Sequence, residues 1–156
     1  MATRTYSNVS DRNFEIVGTT PGSSEYATAV ISGSNPIPAY TAMTIEAAVG
    51  PATGKTRASV AQTGEKVDGI LQVSCTKAGQ IRRVRVRGIS KARITAVAVA
   101  AGVPVDVGST TGQVRAATIA AGKDRAAAFP ILGRSHSVGA GVADELIEVD
   151  VNPHVV

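Results

Sequence analysis

Seven basic residues and no acidic one lie between Lys77 and Arg93. Within that stretch, Ile81-Arg82-Arg83-Val84-Arg85-Val86-Arg87 alternates in character. On a strand, every second side chain shares a face. Arg83, Arg85 and Arg87 then stand together at intervals of roughly 6.6–6.8 Å, with Val84 and Val86 on the opposite face. Such a comb of guanidinium groups repels itself and is stabilised by anions. Three sources of negative charge suit it. Glu148 and Asp150 share a face if 146–151 is a strand, with Ile147, Val149 and Val151 on the other. Exposed pairs with them would contribute only about 0.2–1 kcal/mol each. An acidic protein surface is the second source. Nucleic acid is the third, and the net charge of +4 with a pI near 9.6 allows it. Aromatic residues make up only 3% of the chain and Trp is absent, which leaves few platforms for stacking bases.

Other reactive constellations fail on spacing. Cys75 is the single cysteine, so one chain builds neither a disulfide nor a cysteine zinc site. His136 and His154 are 18 residues apart and form no ligand pattern. No Gly-x-Ser-x-Gly elbow accompanies them, and a lone cysteine is usually a buried, inert thiol. The run Gly50 to Thr56 ends in Gly-Lys-Thr, like a phosphate loop. It has three residues between its glycines where the motif needs four, and no long helix-forming segment follows. It reads as a hairpin turn. No enzyme activity, metal or cofactor is expected.

The elements that must carry the comb are strands. The chain has 156 residues, 44% of them hydrophobic and 18% charged. That is a folded domain, not a disordered tail. It holds 25 Ala, 21 Val, 11 Ile and 15 Thr against 3 Leu, which favours sheet over helix bundle. No apolar run approaches the ~20 residues of a membrane helix, and residues 1–10 lack a signal core, so a soluble protein made in a cytoplasm is expected. Val-, Ile- and Thr-rich runs broken by Gly and Pro predict strands over 27–32, 42–48, 56–61, 67–73, 81–87, 89–95, 103–107, 114–117, 127–132 and 146–151. Residues 94–101 (ITAVAVAA) and 41–49 also suit short helices. Residues 1–25 read as an arm, polar and closed by the turn signal Thr19–Ser24. The remainder, 26–156, reads as a mainly β domain, a sandwich or barrel with little helix.

An internal repeat runs through this domain. Thr53-Gly54-Lys55-Thr56-Arg57-Ala58 matches Thr111-Gly112-Gln113-Val114-Arg115-Ala116. Ile70-Leu71 then matches Ile131-Leu132, and Val84-x-Val86 matches Val149-x-Val151. The offset drifts from 58 to 65 while the order is kept. Under this alignment Cys75 and His136 are equivalent. Units of about 37–90 and 91–151 follow; chance matching in an Ala-, Gly- and Val-rich chain is the alternative.

The order of motifs also resembles a family. Ala39-Tyr40-Thr41-Ala42-Met43-Thr44, Thr53-Gly54-Lys55, Ala61-Gln62-Thr63-Gly64 and Val67-Asp68-Gly69-Ile70-Leu71 look like the core of lambda-type phage head decoration proteins. Ala100 to Val105, Thr111 to Val114, Ile131 to Arg134 and Leu146 to Val149 are similar to related phage cement proteins. The resemblance covers about residues 37–151. It implies a compact, β-tulip-like protein on the outside of the expanded head, non-enzymatic, commonly trimeric, whose N-terminal arm grips the major capsid protein. Carried onto this chain, the arm supplies Arg4, Tyr6 and Phe14 as capsid contacts, with Arg83, Arg85 and Arg87 as a second contact. The second unit and the comb depart from the lambda-type pattern, so a dimer is an alternative to the trimer. A nucleic-acid-binding β-barrel and a phage tail or baseplate subunit are the rival readings.

Overall fold

The computed structural model describes residues 26–31, 36–46, 57–77, 79–118 and 130–155. These form ten strands and no helix. They are β1 (Tyr26–Ile31), β2 (Ala42–Glu46), β3 (Arg57–Val60), β4 (Gly69–Leu71), β5 (Ile81–Arg85), β6 (Gly88–Arg93), β7 (Pro104–Val107), β8 (Val114–Ala116), β9 (Pro130–Ser135) and β10 (Leu146–Val155). The described residues of both segments that also suited helices are not helical; 47–49 lie outside the described residues. Residues 42–46 are β2, and the stretch after β6 makes isolated bridges at Ile94 and Val99 with bends between them. In β2 the β-branched Thr44 and Ile45 favour the strand over the alanines.

The strands make two rings of one design. The first is a closed barrel in the order β1-β3-β2-β4-β5. The second is a sheet in the order β6-β10-β9-β7-β8. Counting five strands on from each member of the first ring gives the same cyclic order. The parallel β1–β3 pairing that closes the barrel has a counterpart in one parallel bridge, Ile94 to Val114. The antiparallel bridge Ile37–Cys75 likewise matches Val99–Gly139.

Pairing registers correct the residue alignment. Ala58 lies between Ile31 and Ile45, as Val114 lies between Ile94 and Val107, so Ala58 corresponds to Val114, two residues from the expected match. Met43 pairs with Gly69 as Val105 pairs with Gly133. The counterparts are therefore Gly69 and Gly133, not Ile70 and Ile131. Both glycines serve one need. A Cβ on Gly69 would collide with the Arg85 carbonyl, and one on Gly133 with the Asp150 carbonyl, which are themselves equivalent positions. The counterpart of Cys75 is Gly139, so His136 and Cys75 are not equivalent.

Two cores result. Ile31, Ile37, Met43, Ala58, Leu71, Cys75 and Val84 fill the barrel. The second core holds Ile94, Leu132, Ile147, Val149 and Val151 of the second ring together with Ala42, Val67 and Ile70 of the first. Alternation explains the split: Met43 and Leu71 point into the barrel, while their neighbours Ala42 and Ile70 point out of it and plug the second ring. Strand β4 is therefore buried on both faces, as its unbroken Gly-Ile-Leu allows.

Candidate functional site

Strand β5 carries the arginine comb on the outer face of the barrel. Its neighbours are β1 and β4, in the registers Thr28–Arg83, Tyr26–Arg85 and Ile70–Arg85. Val84 is fully buried inside, while Arg83 and Arg87 are exposed and Arg85 is half-buried. Val84 and the arginines thus take opposite faces, although the strand ends at Arg85 and Arg87 stands in the turn to β6. Glu148 and Asp150 do not face the comb. On β10 they stand across from Lys91 and Arg134, and among the described residues no ion pair joins them to the arginines. Ile147, Val149 and Val151 of that strand are buried and Glu148 and Asp150 exposed. Arg4, Tyr6 and Phe14 lie outside the described residues, as does the Gly50 to Thr56 run.

The two rings meet along a polar seam. The Ala42 N–H donates to the Gly112 carbonyl at 2.8 Å, and the Arg93 N–H donates to the Tyr40 carbonyl at 3.1 Å. Gly112, at φ +71°, presses so closely that a Cβ there would lie 2.8 Å from the Ala42 oxygen. The Arg93 guanidinium pairs with Asp144 and reaches Thr41 Oγ1 at 3.4 Å, and Gln113 Nε2 also donates to Asp144. Beside this cluster opens a cleft of about 690 Å³, lined by Pro36, Ile37, Pro38, Val60, Glu65 and the Arg93–Asp144 pair, among others. Asp144 (φ +66°) and Tyr40 (φ +65°) are the two non-glycine residues with left-handed backbone among those described, and both stand at this seam. Ser59, Thr110 and Thr111 also line it, and no His, Cys or Lys is among the lining residues described. Of its charged groups, Arg93 and Asp144 pair with each other, while Glu65 accepts the Gln62 N–H at 3.2 Å.

Other ionisable groups are held by local contacts. Cys75 is buried, its Sγ donating to the Lys77 carbonyl at 3.0 Å and lying 3.3 Å from Gln80 Oε1. Asp106 is buried beside Arg115, with Nε to Oδ1 at 3.0 Å. Desolvation pushes its carboxyl upward, partly offset by the arginine. Glu145 accepts N–H bonds from Ala140 (3.0 Å), Gly141 (3.1 Å) and Val142 (3.3 Å). The amides of Ala140 and Val142 lead in holding its carboxyl below the usual range, against a smaller desolvation effect. Among the described residues no three His, Cys, Asp or Glu side chains gather as metal ligands would.

Sequence reading missed the end of the second ring. There the loop after β6 and the loop after β9 lie side by side, joined at Val99–Gly139, and expose Val97, Val138 and Val142. The available signal was the stretch from Ile94 to Val105, which has no charged residue.

No family model matches this chain, and no curated protein sequence does. The lambda-type likeness therefore remains a resemblance of short motifs. Comparison with solved structures gives more. The N base of head fiber gp8.5 from bacteriophage phi29 superimposes with a TM-score of 0.55. This chain has the fold of a phage head fiber base. The likeness covers 81% of this chain and 92% of the fiber base at 12% sequence identity. At that identity the likeness is one of fold.

Proposed function

We propose that this protein is a structural component of a tailed-phage head. It binds the outer surface of the expanded capsid and bridges major capsid protein subunits, in the manner of a decoration or cement protein. The observation that carries this reading is the fold shared, over most of both chains, with a protein named as the base of a phage head fiber. The lambda-type motif order supports it from the sequence side. In this reading the protein is non-enzymatic and needs no cofactor. It acts as a homo-oligomer, a trimer by the resemblance and a dimer as the alternative. Residues 1–25 form the arm that grips the capsid through Arg4, Tyr6 and Phe14. The comb of Arg83, Arg85 and Arg87 adds a charged contact. This reading involves no membrane, and a nucleic-acid-binding β-barrel or a phage tail or baseplate subunit is the alternative to it.

Such a clamp works with modest single contacts. Once one contact holds, the others form at high effective concentration, so several weak grips sum to a stable bridge. The test is co-sedimentation with expanded capsids that lack this protein. The full chain should pellet with them. Deletion of residues 2–18 should abolish pelleting while circular dichroism and thermal midpoint stay unchanged. Full-length protein that stays in the supernatant would overturn the reading; pelleting by the truncated chain would remove the arm from it.

A further inference from the structure

Left-handed backbone recurs at matching places in the two rings. In the first, the Ile31 N–H donates to the Gln80 carbonyl at 3.0 Å and the Gly79 N–H to the Ile31 carbonyl at 2.9 Å. In the second, the Ile94 N–H donates to the Glu145 carbonyl at 2.9 Å and the Asp144 N–H to the Ile94 carbonyl at 2.9 Å. Asp144, at φ +66°, therefore stands where the first ring has Gly79, at φ +82°. Tyr40 is placed in the same way. Its N–H donates to the Leu71 carbonyl at 2.7 Å, and the Leu71 N–H to the Thr41 carbonyl at 2.9 Å. In the second ring the Gly102 N–H donates to the Ser135 carbonyl at 2.8 Å, and the Ser135 N–H to the Val103 carbonyl at 2.9 Å. Tyr40, at φ +65°, thus stands where the second ring has Gly102, at φ +77°.

Each ring is the other's control. A Cβ on Gly79 or Gly102 would meet nothing within 4 Å, so backbone conformation alone calls for glycine there. Asp144 and Tyr40 hold that conformation at a cost, smaller for Asp, a type that enters the left-handed region more readily. A strained backbone persists where its surroundings hold it, and it points to a task for the side chain.

Both side chains act at the seam. The Arg93 N–H bonds across it to the Tyr40 carbonyl, and the Ala42 N–H to the Gly112 carbonyl. Asp144 accepts from the Arg93 guanidinium and from Nε2 of Gln113, the neighbour of Gly112. It thereby ties together the two second-ring segments that hold the first ring. Arg93 carries the tie on to Thr41 Oγ1 at 3.4 Å. Tyr40 comes from the first ring and packs against the second core. We propose that Tyr40 and Asp144 form a latch that locks the relative orientation of the two rings, a task that neither ring's own fold sets for these positions. The inference goes beyond the proposed function and holds whether or not the protein binds a capsid.

NMR on the full chain tests it, with Asp144→Gly, Tyr40→Gly and the reciprocal Gly79→Asp. In Asp144→Gly, amide exchange at Arg93 and Ala42 should accelerate by about tenfold or more, the weight of a lost charged hydrogen bond. The amides of Val84 and Val149, within the rings' strands, should stay protected. Tyr40→Gly should likewise accelerate exchange at Arg93. Residual dipolar couplings should fit one alignment tensor for both rings in the wild type, and the two tensors should diverge in Asp144→Gly. Gly79→Asp should lower the thermal midpoint and leave the Arg93 and Ala42 amides unchanged. An Asp144→Gly variant with a raised midpoint, unchanged seam exchange and unchanged couplings overturns the latch, because the side chain then only burdens its backbone. Gly79→Asp without loss of midpoint also overturns it, because the conformation then costs a side chain nothing. If Asp144→Gly fails to fold, Asp144→Asn decides. Asn accepts the same backbone and keeps an acceptor oxygen without the charge. The seam amides must still accelerate relative to Val84 and Val149, and unchanged exchange overturns the proposal.

Discussion

At the level of single residues, Gly69 and Gly133 are the most telling pair. They occupy equivalent places in two rings, and each faces a carbonyl too close for any side chain. A second obstacle at Gly69 is Val84 Cγ1, 2.8 Å from where a Cβ would be. Gly69→Ala or Gly133→Ala should each lower stability by about 1–3 kcal/mol, the usual cost of forcing an atom into a packed site. Chemical denaturation would show this as a lower midpoint with an unchanged slope. Glu145 gives a pH prediction. Its folded carboxyl lies below the ordinary value because backbone amides stabilise the charged form. Its contribution is therefore full above the unfolded pKa and is lost as pH falls through the folded one. Hydrogen exchange of the amides of residues 140–142 should accelerate relative to the β10 amides over that acid range. Glu145→Gln should flatten this pH dependence.

Among elements, the two rings differ in how they close. The barrel closes through strand β3 against β1, whereas the second ring closes through the single Ile94–Val114 bridge. Thr95 N–H donates to the Val114 carbonyl at 3.0 Å there. Local opening follows the number of cooperating contacts. The Thr95 amide should exchange with solvent faster than that of Val149 in the middle of β10, measurable by NMR. The seam between the rings has a corresponding weak point at Gly112. Its left-handed backbone and its press against Ala42 and Thr41 both exclude a side chain. Gly112→Ala should destabilise by about 1–3 kcal/mol and loosen the Arg93–Asp144 joint. Loss of protection at the Ala42 amide, whose acceptor is Gly112, would report the loosening.

For the whole molecule, duplication separates what holds the fold from what the fold presents. Equivalent strands β5 and β10 share the buried valines Val84 and Val149, yet one bears Arg83 and Arg85 outside and the other Glu148 and Asp150. The tips differ too: among the described residues Lys77 is exposed beside the Ile37–Cys75 bridge, and Val97, Val138 and Val142 beside the Val99–Gly139 bridge. If the comb contributes to capsid binding, Arg83→Glu/Arg85→Glu/Arg87→Glu should weaken co-sedimentation, and added salt should weaken the wild type in the same direction. Binding unaffected by either change would remove the comb from the contact.

Composition and periodicity alone determined that this is a β protein, because Val, Ile and Thr in alternation satisfy a pleated surface and few Leu remain for helices. All ten expected strands overlap observed ones, since burial of one face leaves a period that short segments retain. The faces of β5 and β10 were legible for the same reason. Register was not. The internal repeat read as Ile70 with Ile131 is Gly69 with Gly133, because side chains that match in type do not reveal which carbonyl a backbone must approach. The second ring's dependence on Ala42 and Ile70 was also hidden, since a strand buried on both faces shows only an apolar run. The apolar tip emerged only when 96–101 and 138–146 came together, because exposure depends on what the rest of the chain leaves uncovered. Local preference is written residue by residue; coverage is decided by the packing of segments distant in sequence.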